Sequence, residues 1–230
     1  MIAHKKTFAI GLGMMVGFVI ILVLTFLPIY GGHNGLNYLD ALYNSISKGS
    51  AYYIPGVKDG VQAFLGKKVT VTFSAADDVQ ARQTALLFDK VGRDIRTEVS
   101  GAGLKISGDL GKILDSCLAD ADLMYHNAGS KIREIYSYDE RQVVYNWYKA
   151  LTGMQNDLNR QKKFKEAKII SLVKKKAVEC AYNYYTIEPK KISDALGVVS
   201  FSLIFYVLYT LWYGFAVMFM FEGWGMQLEH

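Results

Sequence analysis

The chain has 230 residues, a formal net charge of +5 and a hydrophobic fraction of 51%. Much of that apolar content sits in two uncharged runs near the ends, so a wholly water-soluble chain is excluded, and what remains between the runs suits one domain of ordinary size. Two cysteines without a CxxC, with only four scattered histidines, allow at most one disulfide and leave no zinc or haem attachment pattern.

Residues 1–6 form a short basic tail in which Lys5 and Lys6 precede an apolar run. The start is signal-like, but the run is too long and ends at Pro28 with no small-x-small cleavage site, so an uncleaved transmembrane helix is predicted over 7–27. Within it Gly13 and Gly17 make a GxxxG pair, which lets two helix backbones approach closely in lipid; glycine is also simply common in such helices.

Residues 28–56 read as a juxtamembrane amphipathic segment. Gly31, Gly32 and Gly35 break the helix, after which Leu36, Leu39, Tyr43 and Ile46 recur at helical spacing. Tyrosines then cluster at Ala51–Pro55 and again at Tyr182–Pro189, which suits either an interfacial belt beside both spans or ordinary packing inside the domain.

A small α+β unit is predicted over 57–136. Val57–Leu65 reads as a helix stopped by Gly66, and Lys67–Phe73 alternates strictly, with Val69, Val71 and Phe73 on one face of a half-buried strand. Ser74 with Asp77 and Asp78 marks a helix start, the hydroxyl capping and the acids favouring the positive end, and that helix runs to about Gly92. Two short strands, Arg96–Val99 and Leu104–Ile106, are joined by Gly101-Ala102-Gly103, and Leu110, Leu114, Cys117, Ala121 and Met124 then mark one face of a further helix. Such an order gives an antiparallel or mixed sheet covered by helices.

Residues 137–188 are predicted to be a long helical segment with Ser137 as cap and Asp139 and Glu140 in the first turn. The stripe Val143, Trp147, Leu151, Met154, Leu158 does not join in phase with Ile169, Val173, Ala177, Cys180, Tyr184, so either the helix breaks near Asn159 or its buried face shifts. Pro189 ends it. The second transmembrane helix is placed at 195–221; its uncharged stretch from Leu196 to Phe221 would reach about 39 Å at 1.5 Å per residue, so it tilts or enters the headgroups of a bilayer whose core is ~30 Å thick. Ser202, Tyr206, Tyr209 and Tyr213, spaced four, three and four, put four hydroxyls on one face of that helix, where they seek another helix or a water-filled lumen. Residues 222–230 are a tail in which Leu228-Glu229-His230 reads as a tag remnant.

The remaining candidate sites are sparse. Arg160, Lys162, Lys163, Lys165, Lys168, Lys174, Lys175 and Lys176 face the single acid Glu166 and form a basic patch, suited to anionic lipid or an acidic protein partner, or else a plain solvated face; without aromatic interleaving it does not point to nucleic acid. Asp122 and His126 stand one helical turn apart with no third ligand at metal spacing. Cys117 and Cys180 lie on apolar helix faces and are read either as a disulfide, should the domain face an oxidising compartment, or as buried thiols. GxSxG, HExxH, P-loop and GxGxxG motifs are all lacking.

The expectation is therefore an α+β soluble domain, mostly helical with a small sheet, held between two transmembrane α-helices. No catalytic, cofactor-binding or metal-binding residue is assigned, no cofactor is expected, and the chain is not read as an enzyme. The lipid bilayer and further copies of the chain are the expected partners, and the plasma (inner) membrane the expected location. Lys5 and Lys6 favour an external domain, against Lys190 and Lys191 beside the second span. The leading functional expectation is a self-associating subunit that presents its domain for assembly, as a scaffold or a channel-like component; the alternative is a ligand-sensing membrane module acting on a separate effector chain.

Overall fold

Alternation of apolar and polar side chains turns Lys68–Ser74 into strand β1 in the computed structural model, which describes residues 2–226. Val69, Val71 and Phe73 face inward, and Lys68, Thr70 and Thr72 face water. β1 pairs with β3 (Gly103–Asp109), which pairs with β2 (Arg96–Ser100), so the sheet is three-stranded, wholly antiparallel and ordered β1-β3-β2. The β2–β3 hairpin turns at Gly101, whose φ of +56° is a left-handed conformation that costs glycine no Cβ clash. β1 is an edge, and side chains cover it: Thr72 donates its N–H to Asp157 Oδ2 at 3.1 Å, while Gln161 Nε2 donates to the Thr70 carbonyl at 2.8 Å.

The chain divides into two units, one being Ser50–Glu188 and the other taking both ends up to Gly49 and from Pro189 onward. In Ser50–Glu188 the helices are α3 (Ile54–Gln62), α4 (Asp78–Val91), α5 (Leu110–Tyr125), α6 (Gly129–Tyr136), α7 (Glu140–Arg160), α8 (Phe164–Val173) and α9 (Glu179–Asn183). They cover the inner face of the sheet around a core that includes Phe88, Leu114 and Trp147. Trp147 meets Phe88 edge-on with ring centres 5.5 Å apart, and its Nε1–H donates to Asp120 Oδ2 at 2.7 Å. The Tyr136 hydroxyl donates to the same oxygen at 2.6 Å, so this buried carboxylate has two donors.

Two helix starts differ from the residues the sequence pointed to. Ser74 closes β1, and Asp77 is the residue that caps α4, accepting from the Gln80 N–H at 2.8 Å. Ser137 has φ +62° and ends α6, leaving Asp139 to cap α7 through the Gln142 N–H at 3.0 Å. In both cases the carboxylate nearer the first turn takes the free amides, since a charged acceptor makes the stronger bond. α7 and α8 are separated at Gln161–Lys163, where Lys162 has φ +60°. α8 runs into α9 through a π-helical turn, Lys174–Val178, and the Cys180 thiol donates to the Lys175 carbonyl at 3.5 Å.

In the other unit α1 (Lys5–Phe26) and α10 (Leu196–Trp224) lie antiparallel, and α2 (Gly35–Ser50) follows α1. The His4 N–H donates to the Gly223 carbonyl at 2.9 Å, while further along Tyr209 and Trp212 reach α1. Both α1 and α10 are long and apolar enough to cross a membrane. The reading of residues 228–230 as a tag remnant falls outside the described residues.

Candidate functional site

The α1–α10 contact is built from glycines and from polar atoms of α10. A Cβ added at Gly11 would lie 2.7 Å from the Met220 nitrogen and 2.9 Å from the Ala216 carbonyl oxygen, so only glycine admits the opposing backbone there. One added at Gly223 would lie 2.6 Å from Phe8 Cα. Of the GxxxG pair, Gly17 meets only the Trp212 ring, at 3.1 Å, and Gly13 has open space. Gly13 therefore sits outside this contact, and Gly11, which the spacing pattern did not single out, sits inside it.

The hydroxyl stripe of α10 divides as well. Tyr209 donates to the Phe18 carbonyl at 2.8 Å and stacks on the Phe18 ring with centres 4.2 Å apart. Ser202 shares a 2.7 Å hydrogen bond with the Tyr43 hydroxyl of α2 and donates to the Val199 carbonyl. Tyr213 packs its ring against Phe18, whereas Tyr206 is exposed and its hydroxyl makes no hydrogen bond among the described residues. Trp212, outside the stripe, donates its indole N–H to the Met14 carbonyl at 3.0 Å. Ser202, Tyr209 and Trp212 thus find partners on the neighbouring helices of the unit, and Thr210 donates back to the Tyr206 carbonyl.

The basic patch is not uniform either. Arg160 pairs with Asp157 at 3.0 Å. Lys174 turns inward, with Nζ 3.3 Å from Thr152 Oγ1 and 5.4 Å from the Tyr148 ring centre, and Lys176 lies over the Tyr53 ring at 4.2 Å. Lys162 and Lys163 occupy the α7–α8 turn. Lys165, Lys168 and Lys175 line a groove of about 470 Å³ with Phe64, Ile169 and Leu172. Positions 165, 168, 172 and 175 recur at helical spacing, which puts them on one face of α8 and the turn that extends it. The single acid of the segment, Glu166, is turned to Lys67 at 3.3 Å; its own main-chain N–H and that lysine hold its carboxyl below the ordinary value.

The other wall of the groove comes from a loop just over a hundred residues earlier. Phe64 and Leu65 are fixed there because the Gly66 N–H donates to Asp109 Oδ2 at 2.6 Å, the Gly111 N–H to the Phe64 carbonyl at 3.1 Å and the Leu110 N–H to the Lys67 carbonyl at 2.9 Å. Gly111 permits this approach, since an added Cβ would lie 2.6 Å from the Leu65 nitrogen. Phe164 and Leu65, neighbours in sequence of the lining residues Lys165 and Phe64, are 63% and 48% exposed.

Asp122 and His126 come together with a residue the sequence did not suggest. Tyr52 donates to Asp122 Oδ1 at 2.7 Å, and that hydrogen bond is the main reason the phenol is pushed up to about 12, while His126 Nδ1 lies 3.3 Å from the same oxygen. The hydrogen bond ties Tyr52 to α5. Among the described residues no group of three His, Cys, Asp or Glu side chains is placed to hold a metal. Cys117 and Cys180 are both free thiols: Cys117 is buried and burial pushes its thiol well up, which makes it unreactive, and Cys180 is half-buried.

A second cavity, of about 380 Å³, lies between α7 and the end of the helical segment, lined by Tyr145, Tyr148 and Tyr182 with Glu179 and Asn183. No family model, curated protein or solved structure matches the chain.

Proposed function

We propose that the chain is a two-span membrane protein whose α1 and α10 cross the bilayer as an antiparallel hairpin, and that it carries Ser50–Glu188 as an interaction module of an assembly made with further copies of itself. The observation that carries this reading is exposure: only 6% of each apolar window is buried, although the two helices pack on one another. A core helix of a water-soluble protein would be covered by its neighbours, and a signal sequence would account for α1 alone, not for a partner helix whose side chains hydrogen-bond to its carbonyls. Self-association is supported by the outward position of Gly13 and of the Tyr206 hydroxyl, features of the kind that draw helices together in lipid. Lys5 and Lys6 favour a cytoplasmic N-terminus and an external module at the plasma (inner) membrane, against Lys190 and Lys191 beside the second span.

Alkaline extraction followed by mass measurement across a dilution series tests the reading. The chain is expected in the membrane pellet and, solubilised, as a species heavier than one protomer; release into the supernatant, or a monomer at every concentration, overturns it. The ligand-sensing reading is favoured by one feature, the tyrosine-lined cavity between α7 and α9, and a thermal shift with a small-molecule panel that is lost in Tyr145→Ala would bring it forward.

A further inference from the structure

We propose that the groove between α8 and the Phe64–Leu65 loop is a docking surface for an anionic phospholipid headgroup layer. The proposal rests on the membrane reading above and names the partner of its module.

Three features converge on one surface. Lys165, Lys168 and Lys175 line the groove, and none has a carboxylate within 4.0 Å among the described residues, while Glu166 is held by Lys67. The groove wall between them is apolar, formed by Phe64, Ile169 and Leu172. Phe164 and Leu65, next in sequence to the lining residues Lys165 and Phe64, are 63% and 48% exposed, whereas Phe73 and Phe88 of the same unit are buried. Unpaired ammonium groups beside projecting apolar side chains match a layer with phosphates outside and acyl chains beneath. An acidic protein groove would complement the lysines but gives no reason for Phe164 to stand out in water. Chain connectivity keeps such a layer near, since Glu188 is followed by α10 after only the short Pro189–Ala195 connection.

The test uses the full chain in nanodiscs of phosphatidylcholine alone or with about 30% phosphatidylglycerol, the anionic component that draws lysines. A brief pulse of a neutral amine-acetylating reagent is read residue by residue by mass spectrometry, with exposed Lys131 and Lys149 as references. A lysine near an anionic surface gains roughly fivefold in attachment, so labelling of Lys165, Lys168 and Lys175 is expected to slow by about that factor in the anionic discs only. The protection should vanish at about 0.5 M salt, where the Debye length falls to a few ångströms. It should weaken in the double variant Leu65→Ser/Phe164→Ser, which keeps every charge. Equal labelling in the two disc types overturns the proposal while leaving the membrane reading standing. Protection that is alike in both lipids, or that grows with protein concentration in detergent, assigns the groove to a protein and likewise overturns it. Incorporation is scored first: a chain that enters neither disc type overturns the membrane reading, and this proposal with it.

Discussion

Trp147 and Ile10 mark the two ways this chain treats apolar side chains: the first is 1% exposed in the middle of Ser50–Glu188, the second 58% exposed on α1. In the first region water drives apolar groups inward, so each helix shows one apolar face and one polar one. In the second the helices are apolar all round, and what brings α1 and α10 together is clearance for backbone and partners for polar atoms. The comparison teaches that the two regions treat apolar side chains by different rules, as the proposed membrane reading requires, and that the same substitution should have different consequences in the two regions.

The largest expected effect lies in the water-excluded core. Trp147→Ala should lower the unfolding free energy by about 3–5 kcal/mol, because it empties the space beside Phe88 and deprives the buried Asp120 of one donor. Leu208→Ala, on the outer surface of α10 at 61% exposure, should cost far less. Denaturant unfolding in a mild detergent, followed by circular dichroism, measures both. Comparable losses for the two would mean that the face of α10 bearing Leu208 is covered by protein, and the contrast between the regions would fail.

Next in size is the hairpin contact. Gly11→Leu drives a side chain into the α10 backbone and should destabilise the pair by about 1–3 kcal/mol or more, whereas Gly13→Leu meets open space and should leave the pair intact. Maleimide labelling of a cysteine placed at Met14, half-buried in the contact, reports the parting of the helices on heating. Under the proposed self-association Gly13→Leu should instead lower the oligomer mass, so the two glycines are expected to separate hairpin formation from assembly.

How much of this was legible depended on whether polar residues marked one face of the segment. Val69, Val71 and Phe73 announced β1 because water faced the alternate residues, and Leu110, Leu114 and Cys117 announced α5 in the same way. The interruption after α7 was legible as a loss of phase near Asn159, although its position at Gln161–Lys163 depends on the left-handed Lys162, which no propensity favours. α6 left no signal, being only eight residues long. In α1 the GxxxG spacing identifies small residues but carries no direction, and where every face is apolar nothing in the pattern says that Gly11 rather than Gly13 meets α10. The lysines of the basic patch could be counted, but the apolar wall supplied by Phe64 could not be foreseen, because the loop that carries it is fixed through Asp109 and Gly111.

A smaller effect belongs to Asp120, whose carboxyl is raised above 3.8 by burial, against the pull of the Tyr136 and Trp147 donors. The folded chain therefore holds this proton to higher pH than the unfolded chain, and in that interval stability falls as pH rises. The contribution is fully present below 3.8 and is lost through the raised folded value, opposite in sign to that of Glu166, whose carboxyl is held down by its main-chain N–H and Lys67. Asp120→Asn keeps an acceptor for both donors and cannot titrate. Unfolding of the two proteins from pH 4 to pH 7 should show wild type losing stability relative to the variant as pH rises; a constant difference would mean that Asp120 titrates normally when folded.

The smallest effect is the most direct test of how α10 uses its polar atoms. Tyr209→Phe keeps the ring stacked on Phe18 and removes only the hydroxyl that donates to the Phe18 carbonyl, and hydrogen bonds between membrane helices average about 0.6 kcal/mol. The hairpin should loosen slightly, without dissociating, in the same Met14 labelling assay. Tyr206→Phe removes a hydroxyl with no partner in the hairpin, so it should leave that assay unchanged and act only on the mass of the assembly. The two tyrosines differ by one turn of helix and by nothing in composition, which isolates position as the cause. Should Tyr206→Phe loosen the hairpin as much as Tyr209→Phe, both hydroxyls would be acting within one protomer, and the outward face would lose its polar contribution to self-association.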